Sequence, residues 1–342
     1  MQANAQKQMT PKAMAMLMLL AVIWGGSFLS NRVALSEIGV LSVVGFRVLG
    51  GAVVLWLAIF AMGLPLPRGL YRIGQFLIMG FLACAFPFSL IVWGQQHIDS
   101  GLASILNAST AVFGVLTAAI FLSDEQLTRR KAVGLAIGFC GVVLCVGPDA
   151  LRGFDPSSLG QLAVLCSALS YSFGSVYTRL YVRDLAPEVS AAGMLTGASV
   201  WIVPMALWQE GLPSLSYSLP VWGGLFWLSV IASAFAFMIY YKVMAEVGAG
   251  NFSMVTLMIP PVAITLGAIV YAEKLPISAY GGFVLLALGL LVLNGKIRLS
   301  GLAPRVRPEV PLCSNPLAPT TATAIPTATP TATAAKPDTD HA

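Results

Sequence analysis

The sequence predicts an all-α membrane protein of ten transmembrane helices, arranged as two inverted five-helix repeats. Three observations carry that expectation. Of 342 residues, 57% are hydrophobic and only 10% charged, against roughly 45–50% apolar and 25% charged usage in soluble domains. Ten apolar stretches each approach the roughly 20 residues needed to cross a hydrocarbon core of about 30 Å. The second five stretches read as a diverged copy of the first five.

In chain order the stretches lie near 13–31, 40–62, 73–94, 100–122 and 131–147, then near 159–178, 189–208, 221–241, 251–271 and 278–295, the fifth and tenth being shortest. The first follows Lys7 and Lys12, as a signal peptide would. Its apolar run, however, leads into Trp24-Gly25-Gly26 with no small-residue cleavage site before the next stretch, so it reads as a retained helix. Cys84, Cys140, Cys145 and Cys166 fall inside stretches and Cys313 in the tail, with no pairing or metal spacing, and read as small apolar packing residues. No metal or cofactor is expected.

Basic residues set the orientation. With the N-terminus inside, the inside segments collect Arg68, Arg72, Arg129, Arg130, Lys131, Arg179, Arg183, Lys242, Lys296 and Arg298, among others, whereas the outside loops hold Arg32, Arg152 and Lys274. That asymmetry places both termini in the cytoplasm of a plasma (inner) membrane protein. The predicted divisions are a cytoplasmic N-terminus at 1–12, repeats at 13–147 and 159–296, and a cytoplasmic tail at 297–342. The end of the tail runs in Pro-Thr-Ala repeats too poor in apolar residues to offset chain entropy.

At an offset near 148 residues, Ala85-Phe86-Pro87-Phe88 falls on Ala234-Phe235-Ala236-Phe237 and Glu125-Gln126-Leu127 on Glu273-Lys274-Leu275. Gly134 then meets Gly282, Gly141 meets Gly289, and at nearly the same offset Arg32 meets Arg179. A shared register across five stretches indicates a duplicated unit. Because five is odd, the second copy enters the membrane from the opposite face. Inverted repeats give a pseudo-two-fold axis in the membrane plane, the symmetry that lets a central site open alternately to each side.

Ile23-Trp24-Gly25-Gly26-Ser27-Phe28, Phe46-Arg47 and the two Glu-x-Leu hinges followed by glycine-rich short helices resemble the EamA family of the drug/metabolite transporter superfamily. The likeness covers about 13–296. It implies a ten-helix inner-membrane carrier whose cavity is lined by the first, third, fourth, sixth, eighth and ninth helices, and whose relatives export amino acids and related metabolites or take up small organic nutrients. One departure stands out. The ninth stretch has Ile259-Pro260-Pro261 where the fourth has Ala111-Val112-Phe113, so a helix broken by proline is expected in one half only.

On those helices Trp24, Ser27 and Asn31 share one face at i, i+3 and i+7, a spacing repeated by Tyr171, Gly174 and Thr178. Trp93, Gln96, Asn107 and Thr110 add hydrogen-bonding groups in the first half, and Tyr240, Tyr241, Asn251 and Ser253 in the second. A mildly polar, aromatic cavity suits an amino-acid-like solute. The same residue types also build interfacial belts and interhelical bonds.

Arg47 is the charged residue set well inside a stretch, roughly 10 Å deep at 1.5 Å per residue. It reads either as a structural group bonded to a neighbouring helix or as a gate or substrate contact. Glu125 and Glu273, one on each face after inversion, read as gate or hinge residues or, more simply, as exposed helix-end charges. Gly134 and Gly138 form a small-xxx-small face, available for packing within a monomer or across a homodimer.

The other acidic residues fall in loops, helix ends or the tail, so the mid-depth carboxylate common in proton relays is missing. A membrane enzyme is disfavoured because His97 and His341 are the only histidines and no nucleophile–base pair or phosphate loop is visible. A channel is disfavoured by the absence of a polar ring. The expected function is export of an amino acid or derivative by alternating access, with uptake of a nutrient such as a vitamin as the alternative. The expected partners are a small solute and the bilayer, with no nucleic acid.

Overall fold

The computed structural model describes residues 10–98, 100–147, 152, 154–155, 158–214, 216–271 and 277–293. The chain runs through α1 (Pro11–Ala34), α2 (Val40–Met62), α3 (Leu70–Gly94), α4 (Leu102–Phe121) and α5 (Arg129–Val146). It continues through α6 (Leu159–Tyr181), α7 (Pro187–Gln209), α8 (Leu219–Val247), α9 (Ala249–Val270) and α10 (Ile277–Leu293). Among the described residues eight of these are long and apolar enough to cross a membrane. The other two are α10, apolar but only 17 residues long, and α5, which opens on Arg129, Arg130 and Lys131.

Local chemistry fixes several boundaries. Thr10 caps α1 by accepting from the Ala13 amide at 3.1 Å, with Pro11 at the first helical position, where its missing N–H costs nothing. Thr128 caps α5 in the same way from the Lys131 amide. α2 stops at Gly63, whose φ of 62° is a left-handed helix terminus that glycine adopts without strain.

Both α3 and α8 carry π-helical turns, at Phe81–Ala85 and Trp227–Phe235 respectively. The repeat offset carries one onto the other. A π turn leaves carbonyls out of the regular ladder, and each half supplies the partner for the other. Ser170 on α6 donates to the Leu82 carbonyl at 2.7 Å, and the Trp24 indole on α1 donates to the Ala232 carbonyl at 3.1 Å. The same two helix pairs approach closely there. A Cβ on Gly26 would lie 2.9 Å from the Trp227 ring, and one on Gly174 would lie 3.1 Å from Ala83.

α5 and α10 pack along a seam of glycines. A Cβ on Gly134 would stand 2.6 Å from Leu293 and 3.0 Å from the Gly289 carbonyl; one on Gly141 would stand 2.6 Å from the Leu286 amide and 3.0 Å from the Gly282 carbonyl. Rising numbers on α5 meet falling numbers on α10, so the helices are antiparallel. The contacts also reciprocate: Gly134 on Gly289 is matched by Gly141 on Gly282, its repeat-related pair. The small-residue face therefore packs within the chain.

Connections segregate to two ends. At one, Glu210 accepts from the Leu41 and Ser42 amides at 2.9 and 2.8 Å, a carboxylate on the positive end of α2. There too Glu37 accepts from the Ser218 amide at 2.9 Å, and the Ser218 side chain together with that amide holds its carboxyl below the usual carboxylate range. At the other end Arg72 pairs with Asp184, whose carboxyl it likewise holds low, and Lys242 pairs with Glu188 at 3.1 Å. Arg68, Arg129 and Arg183 share that second end. Cys84 and Cys145 are buried packing residues as expected, whereas Cys140 and Cys166 face outward; Cys313 lies outside the described residues.

Candidate functional site

A cavity of about 110 Å³ opens where the two halves meet. α1, α3, α4, α6, α8 and α9 wall it, and α2 contributes Arg47. Trp24, Ser27, Asn31, Asn107, Thr110, Tyr171 and Tyr240 all line it, as does Ser253. The stripe on α1 therefore faces inward as its spacing predicts. Trp24 is the hub of the aromatic wall, with ring centroids 6.0 Å from Phe237, 6.4 Å from Tyr240 and 6.3 Å from Phe252.

Six of the expected residues lie elsewhere: the α6 stripe brings in Tyr171 but not Gly174 or Thr178, Tyr241 donates to the Met79 and Met194 sulfurs, and Trp93, Gln96 and Asn251 also miss the cavity. Trp93 stacks on His97 at 4.1 Å, Gln96 is exposed at the end of α3, and Asn251 turns to a separate charged cluster. These last three sit near helix ends, where composition says nothing about rotation. Phe88, Ile91, Phe237, Phe252 and Ile259 line the cavity without a signal in the sequence, because an apolar residue in an apolar chain looks like any other.

The expectation of a break confined to α9 is corrected. α9 is interrupted at Ser253–Met254, and α4 is interrupted at Ser109 without any proline. In both, hydroxyls bond back to carbonyls three residues earlier: Thr110 to Asn107 at 2.7 Å, Ser109 to Leu106 at 2.5 Å and Thr256 to Ser253 at 2.7 Å. These local bonds compete with the helical ladder. Pro260 and Pro261 add a second effect in α9, since neither can donate to the carbonyls of Thr256 and Leu257 four residues back.

Arg47 is 6% exposed and lies on the cavity wall. Its Nε donates to Ser233 Oγ at 3.3 Å, and its guanidinium carbon sits 3.8 Å over the Phe88 ring. Among the described residues no carboxylate pairs with it. Burying an ion costs several kcal/mol after relaxation, while a desolvated cation–π contact returns about 2 kcal/mol. Phe88 and Ser233 therefore offset only part of the cost. Two acceptors are also unsatisfied: the buried amide oxygens of Asn31 and Asn107 accept from no described residue.

A second cluster lies at the end that holds Arg72 and Lys242. Glu125 accepts from the Gly250 amide through both oxygens, at 3.2 and 3.0 Å, and lies 3.8 Å from Lys131 and 3.9 Å from Arg179. Arg179 also donates to Asp124 at 2.6 Å. Glu125 is 7% exposed and Lys131 2% exposed. The reading of Glu125 as an exposed helix-end charge is thus corrected: its loop folds back beneath α9, where the Gly250 amide donates to the buried carboxylate and two cations stand nearby. Glu273 lies outside the described residues.

Helices that cross a membrane around a mixed aromatic and amide cavity define a class, the multi-pass membrane transporters. The chain belongs to the EamA-like transporter family, whose model matches residues 11–147 and again 158–295. It is similar to the uncharacterized transporter YoaV of Bacillus subtilis, 24% identical over 82% of this chain and 96% of that one. It is also similar to a probable amino-acid metabolite efflux pump of Escherichia coli, at 25% identity over 83% and 95%. A probable terminal-alkyne amino-acid exporter of Streptantibioticus cattleyicolor is 26% identical over 83% and 93%. One solved crystal structure superposes with a TM-score of 0.69 at 19% identity, covering 84% of this chain and 98% of its own, a likeness of fold.

Proposed function

We propose that the chain is a ten-span secondary carrier of the plasma (inner) membrane that exports an amino acid or derivative by alternating access. The observation that carries this reading is the cavity between the halves, where aromatic rings surround a few buried amides, hydroxyls and one guanidinium. Small-molecule sites have that balance of apolar wall and sparse polar groups. The names of the Escherichia coli and Streptantibioticus relatives support the substrate class.

In this reading α5 and α10 also cross the bilayer, and residues 13–147 and 159–296 form inverted repeats that rock against one another. The antiparallel, reciprocating seam of α5 and α10 supports inversion, as does the exchange of π-turn partners between α1–α8 and α6–α3. The basic residues gathered at one end support cytoplasmic termini. Glu125, with Lys131, Arg179 and the Gly250 amide, is the gate at that cytoplasmic end, tying the first half to the second. Pro260 and Pro261 give α9 the flexible point next to the cavity.

The test compares extracellular metabolites from cells overexpressing the wild-type chain or Asn107→Ala at matched membrane levels. One amino acid or relative should accumulate outside wild-type cells alone. Equal external profiles from the two, with faster loss of a nutrient from the medium of wild-type cells, would replace export by uptake.

A further inference from the structure

We propose that the cargo carries a free carboxylate received by Arg47, and an N–H group received by the amide oxygens of Asn31 and Asn107. This rests on the carrier reading and adds the chemistry that the cavity selects.

An arginine offers five N–H donors in a fixed fork. At Arg47 the Nε–H is held by Ser233, and the rest of the guanidinium pairs with no carboxylate among the described residues. Such a group is built for a planar anion, and a carboxylate meets it with two parallel bonds. The repeat places Leu195 opposite Arg47, so the cation belongs to one half and the cargo binds in one orientation.

The two asparagines select the other end of the molecule. Asn31 is 4% and Asn107 5% exposed; both line the cavity, and both amide oxygens are without a donor. Asn31 Nδ2 donates to Gln95 Oε1 at 3.2 Å, an arrangement that leaves the Asn31 oxygen as the open end. Two unsatisfied acceptors disfavour a phosphate or dicarboxylate, which would bring more acceptors to meet them. A monocarboxylate with a nearby N–H satisfies all three groups at once, and the aromatic wall takes an uncharged side chain.

The test uses purified full-length protein in detergent for equilibrium binding and in proteoliposomes for counterflow. The probes are L-leucine, L-phenylalanine and L-threonine, each beside its amide, with 4-methylpentanoate as leucine lacking the amine. In at least one pair the acid should bind about tenfold or more tightly than the amide. Arg47→Gln should abolish that preference and Arg47→Lys should keep part of it. Asn107→Ala should weaken L-leucine and leave 4-methylpentanoate unchanged. If wild type binds and moves acid and amide alike, the carboxylate assignment is overturned while the carrier reading stands. If cooperatively melting wild-type protein neither binds nor moves any acid or amide, both this proposal and the amino-acid reading are overturned. The wild-type preference decides the question even if an Arg47 variant does not fold.

Discussion

Trp24 does two jobs that pull in different directions. Its ring supplies the centre of the cavity's aromatic wall, and its indole N–H holds the Ala232 carbonyl in the π turn of α8. Trp24→Ala should therefore cut transport about tenfold or more, the equivalent of ~1.4 kcal/mol, with membrane abundance unchanged; transport at the wild-type rate would show that the cavity is not the path. At this scale the sequence was partly legible. The i, i+3, i+7 spacing put Trp24, Ser27 and Asn31 on one face of α1, which lines the cavity, whereas the same spacing on α6 brought in only Tyr171 of Tyr171, Gly174 and Thr178. Trp93 and Asn251 had the same chemistry but lay close to helix ends, where the chain's rotation depends on neighbours. The exposed helix-end reading of Glu125 fails because a loop position does not reveal that the loop folds inward onto Lys131, Arg179 and the Gly250 amide.

Among elements, the helices themselves were legible and their irregularities were not. The expected 40–62 agrees with α2 at Val40–Met62, since hydropathy and a terminal glycine mark both ends. Nothing in Phe81–Ala85 or Trp227–Phe235 announces a π turn, because the stabilising partners come from α6 and α1, remote in sequence. The glycines of α5 and α10 were visible, but their mutual contact required the fold. Gly141→Ala tests it: its Cβ would press on the Leu286 amide, where backbone leaves no room to yield. Overpacking of this kind costs typically ~1–3 kcal/mol, so thermal melting in detergent should fall clearly below wild type while the elution volume of the particle stays the same. An unshifted melt would place the seam elsewhere, and a changed particle size would restore the homodimer reading of these glycines.

For the molecule as a whole, in the alternating-access reading proposed above, the Glu125 cluster and the cavity are parts of one conformational equilibrium. Glu125→Gln removes two ion pairs and weakens the bonds from Gly250; hydrogen bonds to charged groups contribute about 1.5–3 kcal/mol each. The population open to the cytoplasm should rise by about tenfold or more. Labelling of a Ser253→Cys cavity reporter by an impermeant maleimide, in inside-out vesicles and with the native cysteines replaced, should accelerate accordingly. An unchanged labelling rate would mean that the cluster braces the fold without gating the cavity. The duplicated layout was legible from the register of Glu125 with Glu273 and Gly134 with Gly282, but the distribution of closure between the two ends was not, since it depends on a state and not on a pattern.

The glycine seam carries a consequence for how such a chain can arise. Each contact across it is made twice, by residues that correspond in the two halves. A patch that fits its own copy is what a two-fold dimer requires. A single five-helix unit bearing that patch already holds the face by which two identical units would join. In the inverted-repeat reading proposed above, the seam of α5 and α10 is an isologous interface written inside one polypeptide, its reciprocal glycine contacts holding the halves together along this line.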